Sequence, residues 1–155
     1  MFQSFFPQPK LFFSSLALWS GLLILVWYSF GKKIGESIGF DLSETETVIG
    51  LGHFITSEFL WFDMFFAFGA LVFFFVWRSR SPHEWQIWSV LGSALLIFLS
   101  YASVQVSVVI NAWYGPFYND IQTALTGDGG ITASDLYGHF LIFCTIAFPY
   151  ILFII

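Results

Sequence analysis

The sequence predicts an all-α fold, a polytopic transmembrane helix bundle, and three observations predict it. Of 155 residues, 57% are hydrophobic and 10% charged, whereas soluble domains run at about 45–50% apolar and about 25% charged. The apolar residues gather in four runs, Leu11–Phe30, Phe59–Trp77, Trp85–Trp113 and Leu136–Ile155. A hydrocarbon core about 30 Å thick needs about 20 apolar residues in a helix, so each run is long enough to span. The third observation is aromatic: the chain carries 22 Phe, seven Trp and six Tyr. Trp and Tyr are favoured where lipid meets water.

The same composition excludes several function classes. Net charge is −5, and the five basic residues, Lys10, Lys32, Lys33, Arg78 and Arg80, are too few to cover a phosphate backbone. No nucleic-acid partner is expected; the lipid bilayer is. Cys144 is the single cysteine, which rules out an intrachain disulfide, a CxxC site and a cysteine zinc cluster. His53, His83 and His139 lack metal-ligand spacing, so no metal site is expected. GxSxG, HExxH, P-loop and GxGxxG patterns are all missing, so neither an enzyme nor a cofactor is expected.

The first run follows a short N-terminal stretch containing Lys10, as a signal peptide would. Its twenty residues exceed an h-region of about 7–15 and no A-x-A site follows, which favours a span. The second run holds Asp63, with Glu58 at its start. A carboxylate inside a bilayer costs about 2.5–3.5 kcal/mol on insertion scales and usually faces a bundle interior or cavity. Asp63 and Glu58 are therefore the proton-relay candidates, against the alternative that Asp63 lies near the interface and is simply hydrated.

The third run carries a polar stripe. At about 100° per residue, Ser89, Ser93, Ser100, Ser103, Ser107 and Asn111 fall on one side of a helix, with Gln105 well away. Small polar residues of this kind let helices pack closely in lipid. They also suit the wall of a water-filled pathway, for which Ser100, Ser103, Ser107 and Asn111 are the lining candidates. After Trp113, Gly115-Pro116 predicts a turn, and Phe117, Ile121 and Leu125 at helical spacing predict a short amphipathic extension at the membrane surface. Gly127, Asp128, Gly129 and Gly130 then predict a break, and Thr132 with Asp135 a T-x-x-D start for the fourth helix. That helix meets the end of the chain at Ile155 without a flanking charge or stop signal. The whole of 1–155 thus reads as the N-terminal part of a single transmembrane domain, truncated at its C-terminus.

Loop charge orients the spans. Residues 31–58 hold Glu36, Asp41, Glu44, Glu46 and Glu58 against Lys32 and Lys33, while the link after Trp77 carries Arg78, Arg80 and His83. A cytoplasmic N-terminus and 78–84 link, with 31–57 and 114–135 on the far side, place three of the five basic residues inside.

Three stretches resemble the SbmA/BacA family of bacterial peptide transporters: MFQSFFPQP at Met1–Pro9, SPHEWQIWSVLGSALLIF at Ser81–Phe98, and VINAWYGPFYNDIQTAL at Val109–Leu125. Trp85, Trp88, Asn111, Trp113, Tyr114 and Tyr118 carry the resemblance. It implies a homodimeric, multi-pass transporter of the bacterial inner membrane, similar to an exporter-type ABC membrane domain with two extra N-terminal helices. It also implies proton-driven import of peptides or peptide antibiotics, without an ATPase. The competing readings are the membrane half of an ATP-driven ABC transporter and a non-transporting membrane scaffold subunit.

Overall fold

A computed structural model describes residues 8–43, 47–127 and 130–154. Most of the Met1–Pro9 stretch, together with Glu44, Glu46, Asp128, Gly129 and Ile155, lies outside them. Among the described residues there is no strand. Helix α1 runs over Pro9–Ile38 and α2 over Ser57–Arg80; α3 runs over Ile87–Thr126. These three are long and apolar enough to cross a membrane. Helix α4, Ala133–Ile154, has 22 residues, about 33 Å at 1.5 Å per residue.

Helix α1 is longer than its apolar run. It passes through a π-helical turn at Trp27–Gly31 and continues over Lys32–Ile38, a stretch expected to be loop. Nothing there breaks a helix, and Lys32 lies 3.9 Å from Glu36 one turn on. Gly39 stops it. At φ 105° it takes the left-handed conformation that only glycine adopts without cost. Its N–H donates to the Glu36 carbonyl and the Phe40 N–H to the Gly35 carbonyl, at 3.1 and 3.0 Å, which is a Schellman termination.

The chain divides into two units, residues 1–44 with 57–97 and residues 45–56 with 98–155. In the first, α1 and α2 are antiparallel neighbours. Trp77 Nε1 donates to Ser15 Oγ, Trp19 Nε1 to the Gly69 carbonyl and Trp61 Nε1 to the Gly31 carbonyl, each at 3.0 Å. Glycine permits this approach. A Cβ on Gly69 would lie 2.6 Å from Leu23 Cδ1, and one on Gly35 2.8 Å from Trp61 Nε1. Phe12, Phe73, Phe74, Trp77 and Val90 form the core of this unit.

In the second unit, α3 and α4 are antiparallel. Val106, Val109 and Ile146 are its buried centre, with Phe54 of the short 3-10 helix Leu51–Ile55 packed on them. Buried Val106, Val109, Trp113 and Phe117 recur at helical spacing and make one face of α3. The turn expected at Gly115-Pro116 is absent: both residues lie inside α3. Proline there removes one backbone donor. Its steric conflict with the preceding residue is smallest when that residue is glycine, which has no Cβ. Trp113 and Phe117, stacked at 4.6 Å, hold the helix to α4 on either side of Pro116. The expected extension is therefore the end of α3 itself, with Phe117 buried and Leu125 exposed.

Helix α4 starts as expected. Asp135 Oδ2 accepts from the Thr132 N–H at 2.8 Å and from the Thr132 hydroxyl at 2.7 Å, one half of a capping box. Both bonds favour the ionised carboxyl, so they hold Asp135, which precedes the span, below the usual carboxylate range.

Candidate functional site

The second unit holds the polar stripe from Ser100 to Asn111 and most of the motif residues, while Ser89 and Ser93 belong to the first. Helical geometry puts Tyr114 and Tyr118 on the same side as Ser100, Ser107 and Asn111, roughly 90° or more from the buried face. Ser100, Ser107 and Asn111 are exposed and Ser103 is half-buried, so the stripe is not the face that packs on α4. Ser107 Oγ donates to the Ser103 carbonyl at 3.2 Å, a bond within its own helix. Tyr114 and Tyr118 stack at 5.8 Å with 21° between their rings, and both are exposed. The result is a surface of hydroxyls, a carboxamide and two phenols along about five turns of α3. Such a surface can offer donors and acceptors to a polar solute while its aromatic end stacks on apolar parts.

Trp113 belongs to the opposite, structural role. Its indole N–H donates to the His139 carbonyl at 2.9 Å, and its ring lies 5.0 Å from Phe143. Beside it, His139 Nε2 lies 2.7 Å from Asp120 Oδ2, in a partly buried contact. Asp120, Ser134, Asp135 and His139 line an open cleft of about 510 Å³ between the end of α3 and the start of α4. A second polar contact joins His53 Nε2 to Gln105 Oε1 at 3.0 Å. Neither histidine contact was expected: the partners are 19 and 52 residues apart, and no local pattern marks them. Gln105, which lies off the stripe, meets His53 there.

The first unit holds the carboxylate candidates. Glu58 is exposed in the first turn of α2, where the helix dipole favours an acid. Asp63 is half-buried, and its Oδ1 has no hydrogen-bond partner among the described residues. Five residues correspond to about 140° on a helix, so the two carboxylates are not brought onto one face. Gln86, at the entry to α3, is a second buried residue with an unpartnered oxygen, Oε1, and no sequence signal singled it out. A buried acceptor without a partner costs about 1–3 kcal/mol, which sets both oxygens apart from ordinary packing. Trp85 and Trp88 are exposed. Their rings suit the membrane interface.

Residues 82–155 match the family model of the SbmA/BacA-like family. The matched stretch covers α3, α4 and the motifs from Trp85 to Tyr118, in agreement with the resemblance those motifs carry. The match and the long apolar helices together support a multi-pass membrane location.

Proposed function

We propose, from the match of residues 82–155 to the SbmA/BacA-like family, that this protein imports peptides or peptide antibiotics across the bacterial inner membrane, driven by protons and as a homodimer. The match carries the reading. The exposed hydroxyl, amide and phenol face of α3 supports a peptide cargo, because a peptide presents backbone donors and acceptors along its whole length. Asp63 supports proton coupling. A carboxylate in an otherwise apolar helix, with one oxygen unpartnered, can take up and release a proton if water reaches it.

The test is uptake of a labelled peptide by proteoliposomes holding the full-length protein under an imposed pH gradient. Uptake that collapses with a protonophore and ignores ATP supports the proposal. Uptake that requires ATP hydrolysis favours the ABC half-transporter, and none under either condition favours the scaffold. Asp63→Asn keeps the shape of the side chain and removes its exchangeable proton. It is expected to bring proton-driven uptake to the level of empty vesicles at unchanged peptide binding, with Asp63→Glu retaining part. Normal uptake by Asp63→Asn at matched expression removes Asp63 from the mechanism.

A further inference from the structure

The first unit has a cationic end that its own packing does not use. Because α1 and α2 are antiparallel, with the Phe12 ring 5.2 Å from that of Trp77, Lys10 comes to the same end as Arg78 and Arg80. Three of the five basic residues of the chain thus converge, and all three are exposed. Among the described residues no carboxylate pairs with any of them: the ion pairs there are Lys32–Glu36 and His139–Asp120. Arg78 instead rests over the Phe74 ring, at 6.0 Å. Lys10 is also poorly placed for its own helix. It sits in the first turn of α1, which has no acidic residue there and no side-chain cap from Gln8, and the positive end of a helix favours an anion.

An apolar groove begins one turn below this end. It has a volume of about 210 Å³ and is lined along α1 by Phe13, Leu16, Trp19 and Leu23, with Phe66 of α2 and Ile97 of α3 opposite. From Phe13 to Leu23 is about 15 Å of helix rise. The volume is below the range of about 300–1,000 Å³ usual for drug-sized ligands, so the groove suits a narrow hydrocarbon chain better than a compact solute. At the cationic end stand Trp85 and Trp88, 48% and 71% exposed, as rings do that sit at headgroup level.

We infer that this corner of the first unit binds an anionic phospholipid, with the headgroup phosphate on Lys10, Arg78 and Arg80 and one acyl chain in the groove along α1. Charge selects the headgroup, and the groove fixes the chain. A zwitterionic lipid would fill the same groove but gain little from the cations, since its own ammonium opposes them. The inference stands on the geometry of the first unit alone and is independent of the cargo.

Photo-crosslinking tests it. The full-length protein is reconstituted with phosphatidylglycerol or phosphatidylcholine bearing the same acyl-chain diazirine, and adducts are mapped by residue. The anionic lipid is expected to mark Leu16, Trp19 and Phe66 over the lipid-facing control residues Phe68 and Phe75, and the zwitterionic lipid to mark both sets alike. Each of K10Q, R78Q and R80Q is expected to lower the anionic preference about fivefold, with adducts at the control residues unchanged. These exposed substitutions leave the core intact. Ser93→Phe, which fills the groove, should remove the adducts at Trp19. Equal marking by the two lipids, or a preference unmoved by the charge substitutions, overturns the inference. So does loss of the adducts to excess inorganic phosphate, which identifies a free-anion site, or no groove adduct in the wild type, which means that another helix fills the groove.

Discussion

Replacing Trp113 separates two contributions that the α3–α4 contact combines. The ring is nearly fully buried and touches Phe117 and Phe143 at 4.6 and 5.0 Å, while its N–H donates to the His139 carbonyl at 2.9 Å. Trp113→Phe keeps an aromatic ring and removes the donor. Hydrogen bonds between membrane helices average about 0.6 kcal/mol and reach about 1.7, so the expected loss is about 1 kcal/mol. Trp113→Ala removes the ring as well. Large-to-small changes at buried aromatics cost about 3–5 kcal/mol, and in lipid the cavity and the lost dispersion contacts supply most of it. The alanine variant should therefore lose several times more than the phenylalanine variant. Thermal unfolding of the purified protein in detergent, followed by circular dichroism, reads both. Equal losses would mean that the hydrogen bond, not the packing, holds α3 to α4. No loss in either would mean that the two helices are not docked at Trp113, and the account of the uninterrupted helix through Pro116 would fall with it.

Gly69→Ala should cost about 1 kcal/mol, because Leu23 can turn its methyl away from the new Cβ, whereas Gly69→Val should overpack by about 1–3 kcal/mol and lose the Trp19 bond; thermal unfolding checks the order. Asp135 has its carboxyl lowered by Thr132, so its contribution to the α4 cap is fully present above the ordinary carboxylate value of about 3.9 and is lost as pH falls through the lowered value. Protection of the amides at the start of α4 against hydrogen exchange, relative to the intrinsic rate at each pH, should accordingly fall only in acid, and Asp135→Asn should abolish that dependence. For topology, single cysteines at Ser81 and Thr126 in a Cys144→Ser background should be labelled by an impermeant maleimide from opposite sides of the membrane. Labelling of both from one side refutes the orientation drawn from loop charge.

The spans were legible because lipid imposes a length and an apolarity that few other environments do, and the four runs fall on the four long helices. Their ends were less legible. Gly115-Pro116 is a strong turn signal in water, but the contacts of Trp113 and Phe117 with α4 outweigh a single missing donor. At Lys32–Ile38 charge density suggested a loop, although no residue before Gly39 interrupts a helix. The polar stripe could be read from periodicity alone. Which face of α3 packs on α4 could not, since Val106, Val109, Trp113 and Phe117 are apolar residues in a run that is apolar nearly all round. The Asp120–His139 and His53–Gln105 contacts were out of reach for a different reason: each joins residues that only tertiary structure brings within 3 Å.

The tryptophans show most clearly how a composition signal can be right for a partly different reason. Their number suggested interfacial anchors, and Trp85 and Trp88 are exposed in that way. Trp19, Trp61, Trp77 and Trp113 instead send their indole N–H groups to Gly69, Gly31, Ser15 and His139 of neighbouring helices. Lipid removes the hydrophobic drive that docks helices in water, so helices associate through close packing and polar bonds between them. An indole supplies both, a large surface and one donor that must be satisfied when buried. Its acceptors follow from the same need. Gly69 and Gly31 are residues whose carbonyls a bulky neighbour can reach, and Gly31 lies in the π-turn Trp27–Gly31. With those donors and glycines engaged in holding helix pairs together, Asp63 Oδ1 and Gln86 Oε1 stand out as buried oxygens without a hydrogen-bond partner among the described residues.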